Sequence, residues 1–108
     1  MMNRLEKLKE MLIESPADAF LLFALAKEYE SAGAQAEALE GYRKLQALHP
    51  DYVGLYYHLG KLLEQEGQGK AALEVYHQGL EVAKRVGDGH AFRELSSVAL
   101  NLQIELDE

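Results

Sequence analysis

The chain has 108 residues, a net charge of −7, no Cys, Trp or Thr, and only seven Val or Ile. Lack of cysteine excludes a disulfide framework, a thiolate zinc site and a cysteine nucleophile, and the acidic balance argues against general nucleic-acid binding, which needs a surplus of Lys and Arg on one face. No apolar run approaches the ~20 residues of a membrane span, and MMNRLEKLKE lacks a signal peptide's apolar stretch, so a single cytoplasmic, soluble domain is expected, and the abundance of Ala, Leu, Glu, Lys and Gln makes it all-α.

In chain order, Asn3-Arg4-Leu5-Glu6 has the form of a capping box. Leu5, Leu8, Met11 and Leu12 then recur at helical spacing, and Ser15-Pro16 stops this first helix. Pro16 and Asp18 suit the first turn of a second helix, about 17–32, which Gly33 can end in the left-handed conformation. A third helix is expected over about 36–48, stopping at His49-Pro50. Asp51 is the expected cap of a fourth, about 52–66, closed by Gly67. A fifth spans about 69–86 with Gly87 as terminator, and Asp88 caps a sixth that ends near Leu106. The connections are a few residues long, so successive helices should form antiparallel hairpins.

The stretch Leu21–Asp51 repeats 34 residues later. Nine positions agree outright: Leu21/Leu55, Leu25/Leu59, Lys27/Lys61, Glu30/Glu64, Gly33/Gly67, Ala38/Ala72, Leu39/Leu73, Glu40/Glu74 and Tyr42/Tyr76. A fixed period of this length marks a repeat architecture, in which each hairpin buries its apolar face against the next. Pro16 lies 34 residues before Pro50, so the first helix reads as the second half of a truncated upstream repeat, with Leu8 at the Tyr42 position. For the last helix a step of 36 places Phe92-x-x-Leu95-Ser96-x-x-Ala99 on Tyr56-x-x-Leu59-Gly60-x-x-Leu63, whereas a strict 34 would put His90, Arg93 and Glu94 in the core.

Leu22-x-x-Leu25-Ala26-x-x-Tyr29, followed by Gly33, Ala38, Tyr42 and Pro50, resembles the tetratricopeptide pattern of large-x-x-Leu-small-x-x-Tyr, Gly, Ala, aromatic, Pro. The second copy, Tyr56-x-x-Leu59-Gly60-x-x-Leu63 with Gly67, Ala72 and Tyr76, departs from it at Lys84, where Pro is usual, and neither copy opens on Trp. The resemblance implies an α-solenoid of about six helices, a right-handed superhelical stack of antiparallel pairs. It divides the single domain 1–108 into an N-terminal partial-repeat helix (1–15), repeats at 19–52 and 53–86, and a C-terminal capping helix (88–106).

No chemistry stands out beside it. His49, His58, His77 and His90 form no His-x-x-x-His pair or HExxH motif, and Gly67-Gln68-Gly69-Lys70 lacks the spacing and the preceding strand of a phosphate loop. The serines have no nucleophile-elbow context. No catalytic residue, metal or cofactor is expected.

What the resemblance implies instead is a concave peptide-binding face lined by the first helix of each pair. Carried across by position, it exposes Phe20, Phe23, Lys27 and Glu30, then Tyr57, His58, Lys61 and Glu64, then His90, Arg93 and Ser97. Phe20 and Phe23 lie outside the Leu22/Leu25/Tyr29 stripe, and two readings of them stand open: interface anchors, or side chains covered by the first helix. Lys27 and Lys61 read equally as solvated charges paired with Glu30 and Glu64 three residues on. Together with Arg93 and the histidines they suit a protein or peptide partner carrying acidic residues or a C-terminal carboxylate. The Lys/Asn carboxylate clamp of some relatives is not expected, because its helix-two positions correspond to Phe23 and Lys27 and the fourth helix offers His58, so the asparagines are missing. The alternative is a self-associating module, a homo-oligomer formed through terminal helices such as the Met1, Met2, Leu5, Leu8, Met11 stripe.

Overall fold

Capping chemistry sets three of the six helix starts and three of the six helix ends. In the computed structural model, which describes every residue from Met1 to Glu108, six α-helices account for the ordered elements and no strand forms. They are α1 (Arg4–Glu14), α2 (Ala19–Ser31), α3 (Gln35–Leu48), α4 (Gly54–Gln65), α5 (Gly69–Val86) and α6 (Gly89–Leu106). The Asn3 side chain accepts from Glu6 N at 2.9 Å while Asn3 N donates to Glu6 Oε1 at 3.3 Å, completing the capping box. Asp18 and Asp88 cap α2 and α6 by accepting from Leu21 N and Ala91 N, each at 2.9 Å. Gly33, Gly67 and Gly87 all have φ between 76° and 79°, the left-handed conformation that ends α2, α4 and α5.

Asp51 does not cap α4. The helix starts at Gly54, with Val53 at the cap position and no side-chain acceptor. Tyr52 is withheld from the helix because its ring packs on Phe23, centroids 5.1 Å apart, and that contact outweighs the local capping preference of Asp51.

The chain forms two compact units, Met1–Tyr52 and Val53–Glu108. In the first, α2 packs against both α1 and α3. Leu21 and Ala24 meet Leu8 of α1, with Leu12 and Leu25 alongside. Ala26, fully buried, meets α3 at Gly41, where an added methyl would come 3.0 Å from the Ala26 Cβ. His49 Nε2 donates to the Ala17 carbonyl at 2.5 Å, which ties the end of α3 to the turn before α2.

In the second unit α5 packs against both α4 and α6. Leu59, Leu63, Ala72, Tyr76, Leu95 and Leu102 build the core. Leu95 and Ala99 are buried while His90, Arg93 and Glu94 are exposed, as the 36-residue step requires. Phe92 differs from that expectation: it is 40% exposed, because within the unit no helix lies over it as α5 lies over Tyr56.

Two glycines of this unit are set by packing. A methyl on Gly60 would overlap the Tyr76 ring, and one on Gly79 would lie 2.5 Å from Tyr56 Cβ and 3.0 Å from Leu95 Cδ1. Replacing an unconstrained helical glycine by alanine gains about 1 kcal/mol. Here the sign reverses. Gly60→Ala and Gly79→Ala are each expected to lower stability by about 1–3 kcal/mol in urea unfolding, since both added methyls meet fully packed side chains.

Candidate functional site

The two units carry the same arrangement of four side chains. On α2, Phe23, Lys27 and Glu30 fall on one face at i, i+4 and i+7; on α4 the same places hold Tyr57, Lys61 and Glu64. Lys27 Nζ stands 5.4 Å from the centre of the Phe23 ring, and Lys61 Nζ 5.9 Å from that of Tyr57. Both distances lie within the range of cation–π attraction. Each lysine is therefore steered over a ring on its own helix.

The glutamates are held from behind. Tyr42, buried in α3, donates its hydroxyl to Glu30 Oε1 at 2.6 Å, and Tyr76, buried in α5, donates to Glu64 Oε2. Lys61 also approaches Glu64, at 3.9 Å. Burial pushes both tyrosine hydroxyls well above their ordinary range, and the hydrogen bond to a carboxylate acts in the same direction. Tyr52 is shifted upward too, first by burial and then by the charge of Asp18. An anionic acceptor makes these ties stronger than a neutral pair.

The aromatic candidates separate. Phe23 is half-buried, with Tyr42 at 6.1 Å and Tyr52 at 5.1 Å between ring centres, so its cover comes from α3 and the residues after it rather than from α1. Phe20, 65% exposed, is not covered by the first helix either. In the second unit Tyr57 shares an open depression with His90, Arg93, Glu94, Ser97 and Val98, which joins the α4 candidate to those of α6. His90 lies 3.8 Å from Glu94, and the His58 ring meets Tyr57 edge-on at 5.7 Å.

Tyr42, Tyr76 and Tyr52 are the participants that sequence reasoning passed over. Tyr42 and Tyr76 entered only as the aromatic position of the repeat pattern; the signal for more was a Glu twelve residues ahead of each, in both repeats. No group of three or more His, Asp or Glu is placed to hold a metal ion, and no helix is long and apolar enough to cross a membrane. What the arrangement offers chemically is positioned cations beside ring faces.

A scan against protein-family profiles finds no match. A TPR repeat-containing protein of Pseudomonas aeruginosa is 32% identical over 92 residues, spanning 85% of this chain and 88% of its own length. A tetratricopeptide repeat domain protein of Salinibacter ruber, solved by NMR, superposes with a TM-score of 0.77 at 39% identity, over 81% of this chain and 88% of that one. The TPR2B domain of yeast Sti1, solved in complex with pHsp70, shares the fold with a TM-score of 0.85 at 19% identity, over 94% and 81% of the two chains.

The tyrosine ties predict a pH dependence. An unfolded tyrosine ionises near pH 10 and the folded Tyr42 and Tyr76 only above it, so their contribution to stability is complete below pH 10 and is lost as pH rises past it. Removing both hydroxyls in a Tyr42→Phe, Tyr76→Phe variant is expected to cost about 1 kcal/mol each at pH 8. In urea unfolding followed from pH 8 to pH 11, the gap between wild type and variant should narrow as the pH climbs. A constant gap would show that the hydroxyls do not carry the effect.

Proposed function

Because this chain belongs to the tetratricopeptide repeat family, we propose that it is a protein-interaction module in which the α2 face of one unit and the α4 face of the other each take a segment of another protein bearing acidic side chains or a C-terminal carboxylate. The observation that carries this reading is the recurrence of a lysine poised over an aromatic ring in both units, Lys27 over Phe23 and Lys61 over Tyr57. An ammonium held in place loses less side-chain entropy on meeting a carboxylate, and the ring beside it supplies apolar contact for the ligand's backbone and methylenes. The yeast Sti1 TPR2B domain, which shares the fold, is itself found in complex with another protein's segment, pHsp70.

Within this reading the residues divide by role. Lys27 and Lys61 read the ligand's negative charge, helped in the second unit by Arg93 and His90 at the depression beside Tyr57. Phe23 and Tyr57 are contact platforms, and Phe20 is an outlying apolar anchor. Glu30 and Glu64 act through position: engaged by Tyr42 and Tyr76, they fix the helix face that the lysines share. The module has no chemical step of its own. It holds and orients.

A peptide array with free and amidated C-termini, and with acidic, neutral and basic sequences, tests the proposal. Wild type is expected to retain acidic or free-carboxylate peptides, and Lys27→Ala or Lys61→Ala to weaken them about tenfold each, the loss of one charge-assisted contact. Binding should also fall with added salt, because exposed charges are screened. Selection of basic or neutral peptides, or affinities indifferent to both lysine substitutions, would overturn it.

A further inference from the structure

Two exposed apolar faces lie away from the lysine–ring pairs. On α1, Met11 (54% exposed) and Met2 open onto a depression floored by Leu21, bordered by Lys7 toward the helix start and by Glu10 and Glu14 toward its end. On α6, Phe92 and Leu100 (61% exposed) share a face with Ser96 and Gln103, with Arg93 near its beginning and Asp107, which accepts from Gln103, at its end.

The repeat register says what each face is shaped to meet. Phe92 and Ser96 stand at the positions of Leu22/Ala26 and Tyr56/Gly60, residues buried in the hairpins α2–α3 and α4–α5. α1 stands at the register of α3 and α5, with Leu8 and Pro16 in place of Tyr42 and Pro50. Thus α6 presents the first half of a hairpin and α1 the second half. We propose that a second copy of this chain unites them: α1 of one copy docks antiparallel on the Phe92–Leu100 face of α6 of another.

Charge fixes the direction. Antiparallel, Arg93 meets the Glu10 and Glu14 end of α1; parallel, it would face the Arg4 and Lys7 end. One residue distinguishes this contact from the hairpins within the chain. Arg4, bonded to Glu28 at 3.1 Å, occupies the register of the small Ala38 and Ala72, so the contact centres instead on Met11, which takes the place of Gly79 beside Phe92, and on Leu100, which takes the place of Glu64 beside Leu8. Since the two faces differ, the contact is heterologous and copies add head to tail.

Sedimentation velocity of the whole chain, with Met11→Glu and Leu100→Glu variants, tests this. The wild-type mass should rise above 12.1 kDa with concentration. Each variant alone should stay monomeric, because each has lost one of the two faces. Mixed in equal amounts they should form a species of twice 12.1 kDa that grows no further, joining the two intact faces. Far-UV circular dichroism checks that each variant folds. A wild type that stays at monomer mass up to about 1 mM, a single-face variant that associates as wild type does, or a mixture without the heterodimer would each overturn the proposal.

Discussion

The core of each unit and the face it carries both depend on how closely the two helices of a hairpin approach each other. At the crossing one residue must be nearly without bulk: Ala26 against Gly41 in the first unit, Gly60 against the Tyr76 ring in the second. That separation brings a tyrosine hydroxyl from the second helix within hydrogen-bonding range of a glutamate on the first. The two units reach the same result by different means. Where α2 carries a methyl, α3 gives up its side chain at Gly41; where α4 carries none, α5 has Val75 at the corresponding place. Close packing enforces such exchanges, because a void or an overlap of a single methyl is felt.

The same approach links core to surface. Tyr42 and Tyr76 are buried, yet their hydroxyls end at carboxylates on the outer stripe of α2 and α4. In the second unit Lys61 also approaches this fixed carboxylate while it stands over the Tyr57 ring. A substitution in the core is therefore felt at the face without changing any residue there.

Much of this was legible in the sequence, for identifiable reasons. Helix ends that rest on local chemistry were readable: the Asn3 box, the Asp88 cap and the left-handed glycines at 33, 67 and 87 depend on a few neighbouring residues. The start of α4 was not, because Tyr52 answers to Phe23, nearly thirty residues away in the chain, rather than to Asp51 beside it. Phe92 took its core assignment from register alone, and register does not say whether another helix lies over a position. The candidate face was legible as a stripe of residue types. The hydroxyls behind it were not, since spacing reveals which residues share a helix face but not which atom of a buried ring reaches through to it.

The Tyr–Glu ties also bear on how the chain folds. Each joins residues only twelve apart, across a single tight turn at Gly33 or Gly67. Closing so short a loop costs little chain entropy, and contacts this local are the kind that form early. Because each unit has its own turn, small crossing residue and tie, the chain has two sites from which order can spread, each complete in itself. Either hairpin can zip first, and the folding rate then belongs to a local event repeated twice rather than to a search along the whole polypeptide.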